Sequence, residues 1–162
     1  MFMTQAAFTD SLYSKIRTQY RSGQMQEDER QRILFEPFGE SPAVFKCLIY
    51  LQSHKEDAEP GKMADSLHML RQSVTVIADH LEKEGYIERK SHPSDRRKIL
   101  LVLTDKGAAL ERNMSKVYRE YHSKITSNFT EEEISTYIAL RDKMNAAKDK
   151  AINEIIERRN SK

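Results

Sequence analysis

Between Arg71 and Lys98 the chain concentrates side chains suited to gripping a polyanion. Arg71, Gln72, Ser73 and Thr75 can donate to base edges or phosphate oxygens, and Val76 and Thr75 carry methyl groups able to touch a thymine. Further on, Arg89, Lys90, Arg96, Arg97 and Lys98 stand against one acid, Asp95, a net charge of +4 over ten residues. Nothing else in the sequence concentrates charge so tightly. A Pro-Ser-Asp turn with arginines at its tip suits a narrow minor groove or a row of phosphates, and Asp95 can accept a hydrogen bond that fixes a neighbouring arginine's direction.

Those residues need a frame. Val74, Ile77, Ala78 and Leu81 fall at i, i+3, i+4, i+7, which places one apolar stripe against a core and turns Arg71, Gln72, Ser73, Thr75, Val76, Asp79 and Lys83 outward. The spacing predicts a helix over residues 70–84, stopped by Gly85, which can take the left-handed conformation at C′. A short polar helix over 61–66 and the turn Leu67, His68, Met69 precede it. Strands over 86–90 and 98–103 follow, joined by the loop 91–97. The pattern is a helix-turn-helix with a β-hairpin wing, and its second helix is the one that enters a major groove. The run from Ile99 to Leu103 is apolar on both faces and reads as a buried strand rather than a free edge.

At these residues the chain resembles the MarR family of winged helix-turn-helix transcriptional regulators. The likeness rests on Met63 and Ala64, the Leu-Glu-x-x-Gly-Tyr-Ile run ending at Ile87, the Asp-x-Arg of Asp95 and Arg97, and the Leu-Thr-x-x-Gly of Leu103, Thr104 and Gly107. Together they span about 45 residues in the right order. His68 and Leu70 depart from the family pattern, which has a small turn residue and a Ser or Asp helix cap there. The departure removes an N-cap hydrogen bond of roughly 1 kcal/mol. The resemblance implies a fold that is mainly α with a small β-hairpin wing, and a pair of subunits whose terminal helices intertwine.

The flanking sequence fits that plan. A helix over about 9–30 carries Phe8, Leu12, Tyr13, Ile16 and Tyr20 at helical spacing, with Gly23 as a point of bending or fraying, while residues 1–7 read as a loose or strand-like arm. Residues 24–32 are polar, a solvated helix continuation or a loop, and 33–39, broken by Pro37 and Gly39, read as a packed loop. Ser41-Pro42 is a strong helix start, and that helix runs to about His54. Residues 55–59 form a charged connector. Beyond the wing, Thr104 caps a long helix with an apolar stripe from Leu110 to Ile125. Thr130 and Glu133 make a capping box, with Phe129 and Ile134 as a staple, for a last helix to about Arg158. Two long amphipathic helices need partners that the first helix alone cannot supply, which points to a homodimer and to half-sites about 10 bp apart on double-stranded DNA. The domain plan is therefore an N-terminal dimerisation segment over 1–40, the DNA-binding domain over 41–103 and C-terminal dimerisation helices over 104–162.

Composition narrows the alternatives. Of the 162 residues 32% are charged, yet the net charge is only +2, so any nucleic-acid binding must come from local clustering. One cysteine rules out an internal disulfide, and no leader or membrane-spanning run is seen, so a cytoplasmic protein without membrane partners is expected. No Ser/His/Asp arrangement, phosphate loop or metal triad is present, and His54, His68, His80, His92 and His122 include no pair at ligand spacing. No enzyme activity, catalytic residue, metal or cofactor is expected. Cys47 lies on an apolar helix face and reads as core rather than as the thiolate sensor that some MarR relatives use. Tyr13, Phe35, Phe38 and Tyr50 read either as ordinary core or as the lining of the small-molecule effector pocket that the resemblance implies. The function expected is a DNA-binding regulator, in the main a repressor, that holds a pseudo-palindromic operator as a homodimer until an effector releases it; the alternative is a winged-helix protein-interaction module.

Overall fold

The computed structural model describes residues 5–95 and 97–160, with side chains from residue 14 onward. The elements in order are α1 (Gln5–Phe35), a 3-10 turn (Glu36–Phe38), α2 (Pro42–Ser53), α3 (Pro60–Ser66), α4 (Arg71–Lys83), β1 (Ile87–Ser91), β2 (Ile99–Leu103), α5 (Asp105–Thr126) and α6 (Glu131–Asn160). The chain divides into two compact units, residues 1–118 and 119–162.

In the first unit α2 is the spine. Its start is set by Ser41, whose hydroxyl accepts from the Val44 amide at 3.3 Å, with Pro42 supplying a preset φ at the first position. Val44, Phe45, Cys47, Leu48, Tyr50 and Leu51 are buried along it. Phe35 reaches this core from α1, Met63 and Ala64 from α3, Val74, Ala78 and Leu81 from α4, Ile87 and Leu101 from the hairpin, and Met114 from α5. The Phe45 ring lies 4.6 Å from Phe35 and 5.3 Å from Tyr118, within the range where aromatic pairs add to plain burial. The stripe predicted for the 70s helix is the face that packs, with Ile77 half-buried at its edge.

Two glycines fix the path into and out of the wing. Gly85 takes φ +73°; its amide donates to the Glu82 carbonyl at 2.9 Å and the next amide, of Tyr86, to Leu81 at 2.8 Å, a Schellman close that turns the chain from α4 into β1. At Gly107 a Cβ would sit 2.0 Å from the Tyr86 carbonyl oxygen, so α5 can approach the start of β1 only without a side chain there. Thr104 caps α5 as expected, accepting from the Gly107 amide at 3.1 Å, and its hydroxyl donates to the Gly85 carbonyl at 2.8 Å.

The structure departs from the sequence expectations in four places. Residues 5–7 are helix rather than an arm, residues 1–4 lying outside the described residues, and α1 runs through Gly23, takes the helical of the two readings for 24–32 and ends only at Phe35. Pairs one turn apart, Glu27 with Arg30 and Glu29 with Arg32, support the polar stretch as helix, and the unbroken phase delivers Phe35 fully buried to the core. The expected loop at 33–39 therefore shrinks to the 3-10 turn and Gly39, which is left-handed at φ +69°. The charged connector is also more than a tether: Ala58 is buried and its carbonyl accepts from the Leu101 amide at 2.9 Å, which covers the outer edge of β2. β2 itself is buried at Leu100 and Leu101 but leaves Ile99 47% exposed, because the strand runs out from the core toward the wing tip.

In the second unit the capping box forms as predicted, with Thr130 N–H donating to the Glu133 carboxylate at 2.8 Å and Glu133 N–H to the Thr130 hydroxyl at 3.2 Å. The Thr130 amide, followed by its hydroxyl, holds the Glu133 carboxyl below the usual range. In this single chain none of the 30 residues of α6 is buried, and Tyr137, Leu140, Ile152 and Ile155 among them are exposed.

Candidate nucleic-acid interface

α4 enters without a side-chain cap. Leu70 occupies the N-cap position and is 75% exposed, and His68 before it sits at φ +51°, held by backbone bonds from His68 to Asp65 and from Met69 to Ala64. The first-turn amides of α4 therefore have no side-chain acceptor at position 70, the condition in which a helix start can accept an anion. Arg71, Gln72, Ser73, Thr75 and Val76 are all exposed. Arg71 lies 3.8 Å from Asp65 with both side chains largely in solvent, a loose pair that leaves the guanidinium available. The Thr75 hydroxyl donates to the Arg71 carbonyl at 3.0 Å.

The wing pairs Ile87 with Leu103 through to Ser91 with Ile99. Its loop is closed by the His92 amide donating to Lys98 at 3.0 Å and the Lys98 amide to Asp95 at 2.9 Å. One oxygen of Asp95 accepts from the Arg97 amide at 3.1 Å and from its Nε at 3.3 Å. The backbone bond, then the side-chain bond, holds the Asp95 carboxyl below the usual aspartate range. Arg97, so directed, is 92% exposed along its side chain. Arg96 lies outside the described residues.

The other wing cations are committed within the chain. Arg89 turns back onto α4 and bonds Asp79 at 2.5 Å and Glu82 at 2.9 Å, so it is a strut between wing and helix. Lys90 pairs with Glu88 at 3.1 Å on the strand surface. Lys98 bonds Glu59 at 3.1 Å, and Lys62 bridges Asp57 and Glu59, which pins the base of the wing to the segment before α3. His92 lies against that knot: its ligand-capable nitrogen and the carboxylates of Asp57 and Glu59 fall within 4.8 Å of one another, a grouping 33 residues of separation hid from linear spacing. Both carboxylates already carry ammonium partners, and the Lys62 bond is the largest cause holding each below its usual range. Asp79 and Glu82 lie one turn apart on α4, but nothing in the linear sequence ties them to Arg89, which reads there as one more DNA-facing cation.

Cys47 is fully buried and its thiol is pushed up to about 11 by burial, so it is a core residue. Of the aromatic residues considered for an effector pocket, Phe35 and Tyr50 are buried members of the core and Phe38 packs half-buried against it. The Tyr13 side chain lies outside the described residues.

Residues 41–99, from the Ser41 cap to the first residue of β2, match the family model described as MarR family. Over 80 residues the chain is 36% identical to the transcriptional repressor MprA of Escherichia coli, a match covering 49% of this chain and 46% of MprA, under half of that relative's length. It is 29% identical over 132 residues to the multiple antibiotic resistance protein MarR of Escherichia coli, covering 79% of this chain and 91% of that one. A solved MarR variant from Escherichia coli complexed with operator DNA superposes with a TM-score of 0.68 at 27% identity, covering 82% of this chain and 97% of its own. Leu81 to Ile87, Asp95 with Arg97, and Leu103 with Gly107, the residues on which the likeness first rested, are here a helix stop, a directed arginine and a backbone contact no other residue allows. Over residues 41–99 the chain is similar to the MarR family, and its fold is that of the winged helix-turn-helix structures it resembles.

Proposed function

We propose that the protein is a transcriptional regulator that holds a pseudo-palindromic operator as a homodimer, acts in the main as a repressor, and leaves the DNA when an effector binds. The observation that carries this reading is the pairing of an exposed, donor-rich α4 face with a directed Arg97 on the adjoining wing. The helix supplies base-edge chemistry and the arginine a phosphate or minor-groove contact. The operator-bound relative, similar in fold and in these segments, supports the same partner for this chain.

Dimerisation follows from α6. A helix with apolar residues on it and none buried requires a covering surface, and segments 1–40 and 104–162 of a second copy supply one of matching length. Release by an effector is then a population shift, in which the effector binds more tightly to the arrangement that does not fit DNA. Of the described aromatic candidates, half-buried Phe38 is best placed to meet a ligand, since Phe35 and Tyr50 are closed into the core.

The test is a binding titration of the full chain against a duplex selected from a random pool, over a range of salt. Footprinting should show two half-sites about 10 bp apart. Arg97→Ala should weaken binding to every sequence and reduce the salt slope by about one contact, whereas Gln72→Ala should cost about 1–3 kcal/mol on the selected site and little on random DNA. Equal losses on both kinds of DNA for both variants would remove these assignments.

A further inference from the structure

Among the exposed residues of α4, Val76 alone is apolar, and it is 68% exposed. It lies one turn beyond Gln72, on the side of the helix away from Val74, Ala78 and Leu81, so it supports nothing in the fold. A β-branched residue at an exposed helical position is also a poorer helix former than Ala, Lys, Gln or Glu would be there. Thr75 beside it gives its hydroxyl hydrogen to the Arg71 carbonyl at 3.0 Å, so it has no hydrogen left to donate and offers a ligand its oxygen lone pairs and its γ-methyl.

The charges on either side identify what such a patch meets. Arg71 in the same first turns and Arg97 on the wing are both largely exposed cations, fitted to phosphates and not to an apolar protein surface. Between two phosphate rows in a major groove, the apolar group on a base edge is the C5-methyl of thymine. We propose that Val76, with the γ-methyl of Thr75 beside it, reads a thymine through its C5-methyl group in each operator half-site. This rests on the assignment of α4 as the helix that reads DNA.

The experiment replaces thymine by deoxyuridine, which removes that methyl and keeps every hydrogen-bonding atom. With the full chain and a pool-selected duplex, each thymine is exchanged in turn, in one half-site and then in both. One position should weaken binding about fourfold per half-site and about fifteenfold when both are changed, the worth of one buried methyl group at each. Val76→Ala, a surface change that leaves the fold intact by circular dichroism, should weaken binding to the thymine duplex and abolish the difference between thymine and uracil there. Specific binding that ignores deoxyuridine at every position overturns the inference and leaves the DNA-reading assignment standing. A uracil effect of equal size in Val76→Ala and in the unaltered chain overturns the role given to Val76. Failure of the pool to yield any sequence overturns the assignment of α4 itself and makes a protein partner the occupant of this face.

Discussion

Gly107→Ala tests the seam from which the wing hangs. The added Cβ would lie 2.0 Å from the Tyr86 carbonyl oxygen, 2.9 Å from its carbon and 3.0 Å from a Leu103 methyl. The first distance is roughly 1.3 Å short of an ordinary C···O approach, and the obstacle is backbone, so α5 and β1 must part. Three hydrogen bonds cross this seam: Thr104 amide to Tyr86 at 3.0 Å, Thr104 hydroxyl to Gly85 at 2.8 Å and Lys106 to the Glu84 carbonyl at 2.6 Å. Overpacking costs about 1–3 kcal/mol, and weakening this group of bonds adds about 2 kcal/mol at a net value near 1 kcal/mol each. Better helix propensity returns about 1 kcal/mol. The balance is a loss of about 3 kcal/mol, which at a urea slope of about 1–3 kcal/mol per molar lowers the midpoint by about 1 M or more. The measurement is urea unfolding at fixed protein concentration, since association shifts apparent stability. A midpoint that stays put or rises, as propensity alone would give, refutes the argument for why this position is glycine.

Leu70→Ser should raise stability by about 0.5–1 kcal/mol in the same assay, because it supplies the missing cap to α4 while the leucine it removes is three-quarters exposed; an unchanged or lower midpoint refutes the uncapped start. The Asp95 carboxyl is held low by bonds from Arg97, so the wing-tip bonds are fully present above the ordinary aspartate value of about 3.9 and are lost only as pH falls through the lower folded value. The Arg97 amide resonance should accordingly stay constant from neutrality down to about pH 4 and move below it, and a midpoint at or above 3.9 counts against the directed arginine.

Periodicity carried most of the fold. The α4 stripe, the Ser41 start, the Gly85 stop and the Thr130 box are local devices, each written in four to eight consecutive residues, and each formed as read. What linear reading missed was settled by partners far along the chain. Residues 33–35 look like a loop beside Pro37 and Gly39, yet the helix persists because Phe35 has a core to enter. Ala58 looks like part of a solvated connector, yet an amide more than forty residues later bonds to it. In the site, the direction of Arg97 was legible because Asp95 is two residues away, whereas the destination of Arg89 was not, because its acids lie seven and ten residues back on another element.

That last difference changes how the wing is to be understood. Counted along the sequence, the wing offers five cations to a phosphate backbone; in the fold, Arg89, Lys90 and Lys98 each already hold a carboxylate of this chain. Asp79 and Glu82 stand on the helix proposed to approach phosphates, and in that reading, unneutralised, they would oppose it by like-charge repulsion. Arg89 removes that repulsion and at the same time fixes the wing to α4, so a residue that looks like a DNA contact serves the contact through another element. The same division holds at the base, where Lys98 and Lys62 share Glu59 and anchor the hairpin that carries Arg97. A basic cluster of this kind is part ligand surface and part scaffold, and the acidic residues around it, more than the count of arginines, decide which is which.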